Sequence, residues 1–246
     1  MKNPLIIDPK LEADKIISFL KKTIKEQKKD KVILGLSGGI DSTVALYLLK
    51  KVLPAKNIFA VQMDYKPRKK LNIDLNGINV INSPIKKVVD LFKNDNEPLA
   101  KERLGNIMAR IRMIMLFDFA KQINCLVCGT ENKSENLLGY FTRFGDAASD
   151  IEPLSHLYKT QVCQLAKYLG VPTEIIDQPP TAGLWDGQTD ENDFGFTYEE
   201  ADQVLYLYHD RGQDINLIKK EFKNAEKIIS RMLNNKFKLL TPYKII

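Results

Sequence analysis

The segment VILGLSGGIDSTVALYLL, Val32–Leu49, constrains this chain more than any other. It opens as an apolar run, turns through Ser37-Gly38-Gly39 and resumes with helical spacing. A strand-length apolar run, a glycine turn and a helix together are the first half of a βαβ unit. Glycines let a ligand approach the backbone closely, and a helix behind them presents its N-terminal amides, so the turn suits a phosphate group. It lacks the lysine of a Walker loop, which serves γ-phosphate chemistry. Ser37, Ser42 and Thr43 offer neutral donors instead. Asp41 is the odd residue, because a carboxylate beside phosphates repels them unless a cation bridges the two. Mg2+ does this with one or two carboxylates and substrate oxygens.

The same alternation runs through the chain. Helices are predicted over about Pro9–Lys28, with Leu11, Ile16, Ile17, Leu20 and Ile24 on one face, and over Leu99–Ile123, with Leu104, Ile107, Met108, Ile111 and Met115 inward. Strands are predicted at Lys31–Leu36, Asn57–Met63, Gly77–Ser83 and Cys125–Gly129. A helix with Ser83 as N-cap and Pro84 at its first position follows the third strand. Two more helices close the chain near Thr197–Tyr208 and Asp214–Asn234. The pattern predicts an α/β fold: a doubly wound, mostly parallel sheet with helices on both faces and C-terminal helices, in a single domain over 1–246. Ligands bind such sheets at the carboxyl ends of the strands. The polar text from Gly129 to about Asp150 reads as a long loop of the functional or mobile kind, and Asp186–Gly195 as a mobile segment or lid.

Composition excludes some classes. No stretch is apolar for the roughly 18 residues of a membrane span, and the N-terminus has no signal pattern, so a cytoplasmic protein is expected. The net charge of +6 fits a solvated lysine-rich surface or a polyanionic ligand, and charge alone does not separate nucleotide from nucleic acid. Cys125 and Cys128 suggest a metal or redox pair, but residues three apart on a strand point to opposite faces, which favours packing thiols.

Ser37-Gly38-Gly39-Ile40-Asp41-Ser42 resembles the pyrophosphatase loop of the N-type ATP pyrophosphatases, which have an adenine nucleotide alpha hydrolase-like fold and cleave ATP between its α- and β-phosphates. Four later stretches are similar to one branch, the ammonia-dependent NAD synthetases. They are GNIMARIRM (Gly105–Met113), GTENKSE (Gly129–Glu135), GYFTRFGDAASDIEPL (Gly139–Leu154) and QPPTAGLWDGQTDE (Gln178–Glu191), in the family's order. The resemblance implies amidation of deamido-NAD by ammonia through an adenylated intermediate, giving NAD, AMP and pyrophosphate, with Mg2+ as cofactor and ATP as co-substrate. Asp41 and Glu135 correspond to the metal carboxylates. Gly35, Leu36, the loop from Ser37 to Ser42, Thr130, Lys159 and Thr181 correspond to ATP positions. Arg110, Arg143, Asp146 and the Phe237-Lys238 pair correspond to deamido-NAD positions; Lys236 is the alternative to Lys238, and the family's histidine is replaced by Phe237. Asp41, Lys159 and Asp146 are the implied catalytic groups, with Asp146 or Asp150 as candidate base for ammonium. Tyr140, Phe141 and Phe144 are candidates for stacking on planar rings.

Chain length leaves no room for a glutaminase domain, so free or partner-supplied ammonia is expected. The resemblance further implies a homodimer, and no nucleic acid or membrane partner. Two rivals remain at this stage: a tRNA-modifying enzyme with the same loop, and a nucleotide-binding module without catalysis.

Overall fold

A computed structural model describes residues 4–67, 72–93, 100–181, 183 and 187–240. Its centre is a parallel four-stranded sheet of β1 (Val32–Gly35), β2 (Ile58–Gln62), β3 (Asn79–Asn82) and β4 (Leu126–Cys128), in the order β3-β2-β1-β4. Val32 pairs with Ile58 on one side and with Leu126 on the other, so the chain reverses its direction of strand addition at β1. The crevice between the carboxyl ends of β1 and β4 is therefore the switch point where open α/β sheets take their ligands. Ile151 adds a parallel bridge to Cys128 beyond β4.

Helices cover both faces. On one face lie α1 (Pro9–Glu26), α2 (Ile40–Lys50) and α6 (Lys159–Leu169), whose Ile16, Leu20, Leu46 and Val162 pack with Leu34 and Ala60. On the other lie α3 (Lys86–Asp90) and α4 (Lys101–Ile123), with Met108 and Ile111 against Ile33 and Val61. Cys128 belongs to the first core and Cys125 to the second, as strand alternation requires. α1 is capped by Asp8, whose Oδ1 accepts from the amides of Lys10 and Leu11 at 3.0 Å. Leu11 is exposed rather than on the buried face.

A third core is formed by α5 (Lys133–Leu138), α8 (Asp190–Phe194), α9 (Tyr198–Leu205), α10 (Ile215–Glu221) and α11 (Ala225–Asn235); α7 (Thr173–Ile176) follows α6. Several expectations are corrected here. Ser83 does not cap a helix: its amide donates to the Gln62 carbonyl at 2.9 Å and that of Ile85 to Asp64, so the parallel ladder runs on and the helix begins two residues later. The closing helix is two helices, broken where Phe222 is extended at φ −124°. The stretch after Gly129 contains α5, and α6 was not foreseen. Gln188–Phe196 is not a loose lid, because Gln188, Asp190, Phe194 and Phe196 are buried against the third core.

Candidate active site at the sheet switch point

Gly35 ends β1, and Leu36 extends its ladder through a 2.9 Å bond to the Val61 carbonyl. The turn follows at once. Gly38 has φ +79°, a left-handed conformation open to glycine at little cost. Ser37 Oγ accepts from the Gly39 amide at 3.2 Å and lies 3.0 Å from Ser42 Oγ; Ser42 Oγ and Thr43 Oγ1 donate to the Gly39 carbonyl. Ile40 is buried and begins α2, which puts Asp41 in the first helical turn and the helix N-terminus toward the crevice.

β4 delivers the second wall. Gly129 is packed so closely by Glu152 that an added Cβ would lie 1.8 Å from Glu152 Oε1. The half-buried Thr130 follows. Asn132 caps α5: its Oδ1 accepts from the Glu135 amide at 3.0 Å while Glu135 Oε2 accepts from the Asn132 amide at 3.3 Å. The same Asn132 donates from Nδ2 to Asp41 Oδ1 at 3.0 Å, joining the two walls. Between them stands Lys159, only 4% exposed, with Nζ 2.5 Å from Asp41 Oδ2 and 3.4 Å from Glu135 Oε1. Burial works against the Lys159 charge, but the Asp41 and Glu135 carboxylates outweigh it, and the ammonium holds its proton more tightly than a free lysine. Burial pushes Glu135 upward against the opposing pull of Lys159.

Asp202, fully buried on α9, fixes both partners. Its Oδ1 accepts from Ser134 Oγ at 2.5 Å, and that hydroxyl accepts from the Lys159 amide; its Oδ2 accepts from the Thr160 amide and hydroxyl. Burial raises Asp202 to about 6. Asn132, Ser134, Asp190, Tyr198 and Asp202 were all missed from sequence. The only signal was an acidic or polar residue inside otherwise helical text.

A second group of predicted residues gathers around Arg143. Its guanidinium lies between the rings of Phe144 and Phe237, at 5.2 and 5.7 Å, and its carbonyl accepts from Arg110 Nη2 at 3.3 Å. Lys238 Nζ donates to the carbonyls of Gly139 and Phe141, whereas Lys236 is exposed. Of the aromatics in this loop only Phe144 is open: Phe141 is buried and Tyr140 packs edge-on to Phe194. Asp146 Oδ1 accepts from the Thr142 amide at 2.8 Å; the residue is open to solvent, yet the protein around it raises its carboxyl above the usual range. Asp150 is tied to the Val127 amide. Between the two groups sit Glu131 and Glu152, which burial raises to about 9 and about 7. Thr181 is exposed and accepts from the Gly183 amide at 3.0 Å; Arg68–Leu71, in the basic stretch Asp64–Asn72 whose sequence suits a loop over ATP or a solvated turn, lie outside the described residues.

Among the described residues no cluster of three or more His, Cys, Asp or Glu side chains is arranged to hold a metal ion by itself. Asp41 and Glu135 nevertheless turn one oxygen each toward a single buried cation, Lys159. Two converging hard oxygen donors fit Mg2+ that draws its remaining ligands from phosphate and water.

Fold and site together define an α/β enzyme with a glycine turn at the switch point of its sheet. The NAD synthase family model matches residues 12–242. The NH(3)-dependent NAD(+) synthetase of Chlorobaculum tepidum is 40% identical over 237 residues, covering 92% of this chain and 86% of that one. Among solved structures, the NMN synthetase of Francisella tularensis has a TM-score of 0.84 at 34% identity, covering 98% of this chain and 99% of that one. The NH3-dependent NAD synthetase of Campylobacter jejuni has a TM-score of 0.78 at 32% identity, covering 98% of this chain and 100% of that one. The chain belongs to the NAD synthase family.

Proposed function

We propose that this enzyme is an ammonia-dependent NAD synthetase, a ligase that forms a C–N bond at the expense of ATP. The observation that supports it best is the convergence of Asp41, Glu135 and Lys159 beside a lysine-free phosphate turn. A carboxylate does not react with ammonia near neutral pH, so it must first gain a leaving group. The nicotinate carboxylate of deamido-NAD attacks the α-phosphorus of ATP and pyrophosphate departs. Ammonia then attacks the carbonyl of the resulting adenylate and AMP leaves.

The loop amides of residues 37–39 and the α2 N-terminus receive the pyrophosphate, while Thr130 and Thr181 serve the nucleotide. Asp41 and Glu135 hold Mg2+, which when bound neutralises phosphate charge. Lys159 supplies a buried positive charge for the α–β bridge, where fixed charge counts most. Arg110, Arg143, Phe237 and Lys238 receive deamido-NAD. Asp146 takes the proton from ammonium: it is solvent-accessible and its pKa is raised.

We assign the protein to the cytoplasm; no described helix is long and apolar enough to cross a membrane. We also assign a homodimer, supported by the exposed Ile114 of α4 and the exposed Val88, Leu91 and Phe92 on and after α3, which packs against α4. Sedimentation checks that state.

The deciding test is a product assay with ATP, Mg2+, an ammonium salt and deamido-NAD. NAD, AMP and pyrophosphate are expected; ADP with phosphate overturns attack at the α-phosphorus. The likeness to an NMN synthetase favours one second reading, the deamidated mononucleotide as acceptor. It is run in parallel, and faster turnover of it would replace the dinucleotide.

A further inference from the structure

Asp190 is the buried acid that the proposed chemistry leaves unused. It opens α8, is 2% exposed, and its Oδ2 accepts from Tyr198 Oη at 3.0 Å; the Tyr140 hydroxyl also acts on its carboxyl, while its Oδ1 is buried and makes no well-formed hydrogen bond among the described residues. A buried carboxylate oxygen without a well-formed hydrogen bond is unfavourable, and its presence calls for a state in which it is used. A cation that acts on Asp190 is Lys159, whose Nζ lies 5.4 Å from the centre of the Tyr198 ring. Asp190, Tyr198 and Lys159 thus form a short row, with Asp41 and Glu135 at its far end.

The charges in this row do not balance. Asp41, Glu135 and Asp190 supply three negative charges when ionised and Lys159 one positive charge, leaving two negative charges in a largely buried pocket. A divalent cation on Asp41 and Glu135 makes the sum zero. It also repels an ammonium 2.5 Å from Asp41 Oδ2, so Lys159 must change partner when the metal arrives. The second oxygen of Asp190, whose first holds the Tyr198 hydroxyl, is a ready acceptor for it.

We propose that Asp190 is a positioning residue that receives the Lys159 ammonium when a divalent cation occupies Asp41 and Glu135. The hand-over keeps Lys159 charged and at the pocket wall, where a phosphate oxygen reaches it. It also explains why α8 is seated firmly: Phe194 anchors it in the third core and Tyr140 Oη donates to Asp193 at 2.8 Å, so the acceptor waits in place. The inference rests on Asp41 and Glu135 as metal ligands, and its test separates the two claims.

Mn2+ binding is followed by electron paramagnetic resonance on the full-length protein with α,β-methylene-ATP, whose bridge is not cleaved. Asp41→Asn is expected to abolish tight Mn2+ binding, and Asp190→Asn to weaken it about tenfold. Asp190→Asn binding as tightly as wild type, with Asp41→Asn defective, overturns the role of Asp190 and leaves the metal site standing. Tight binding by Asp41→Asn overturns both. Should Asp190→Asn fail to fold, a crystal structure of the unaltered protein with Mg2+ and the analogue decides. Lys159 Nζ within hydrogen-bond distance of Asp190 Oδ1 is expected, and Lys159 still paired to Asp41 overturns the proposal.

Discussion

Lys159 and Arg143 are the central cations of the two halves of the site, and they are held in opposite ways. Lys159 is almost wholly buried; two carboxylates bind its ammonium, and its backbone amide is pinned to Ser134, itself pinned to Asp202. Arg143 is half-buried between two rings, and both Phe144 and Phe237 are about half exposed, at 55% and 48%. A buried network in low dielectric fixes geometry, because each member that shifts leaves another unsatisfied. A solvated stack on a loop and a chain end adapts at little cost. The half assigned to ATP is built for precision, and the half assigned to the pyridine substrate for accommodation.

Five substitutions probe that contrast. The largest effect is expected from Asp41→Asn, which keeps size and removes a charge from the site of phosphate chemistry. Loss of several kcal/mol of transition-state stabilisation corresponds to a fall of at least about a hundredfold in turnover. Glu135→Gln should behave alike; near-normal turnover by both folded variants at saturating Mg2+ would sink the metal assignment.

Asp202→Ala tests whether the buried half is fixed as a unit. It leaves the hydroxyls of Ser134 and Thr160 and the Thr160 amide without their acceptor. A loss of about 2–4 kcal/mol in urea-unfolding free energy is expected, since unsatisfied buried donors cost about 1–3 kcal/mol each. An unchanged unfolding midpoint would mean that the network carries no weight.

Glu131, at the seam between the halves, gives a pH signature. Folded, it keeps its proton up to about 9, against an ordinary value of 4.5 in the unfolded chain. The folded state therefore binds more protons across that window, and this stabilising contribution declines as pH rises, by up to about 1.4 kcal/mol per pH unit. Glu131→Gln is neutral throughout and should flatten the decline above pH about 8, where Glu152, raised to about 7, has lost most of its proton. Parallel stability profiles for the two proteins would refute the assignment.

The smallest change is expected from Arg143→Lys. Charge is kept while planar stacking between Phe144 and Phe237 is lost, so KM for the pyridine nucleotide should rise a few-fold, about 1 kcal/mol or less, at constant KM for ATP. A comparable rise in KM for ATP would show that the halves are not separate.

How much of this was readable from sequence follows the same division between local and distant. The turn from Gly35 to Asp41 was legible because strand, glycines and helix are contiguous. Glu135 follows a later strand and so belongs to the same sheet edge as Asp41, a placement that resemblance sharpened; Lys159 was reached only through resemblance, since nothing local brings residue 159 to residue 41. Asp190 lies in the acidic stretch read as a mobile segment or lid, and Asp202 among other acids in helical text; a buried acid is distinguished only by what packs over it. Ser83 misled because a serine before proline has the signature of a helix cap, whereas its amide extends the sheet. Phe222 misled because Ile218, Ile228 and Ile229 keep a core-facing pattern across the break.

The switch point also has a consequence in time. Asp41 meets Asn132 across 91 positions and Lys159 across 118. On a ribosome adding about 5–20 residues per second, those partners are synthesised on the order of ten seconds after the phosphate turn. Through that interval the glycine turn and its carboxylate have no opposite wall. Nucleotide added to stalled ribosomes should therefore protect nascent chains from proteolysis only once α6 has cleared the exit tunnel.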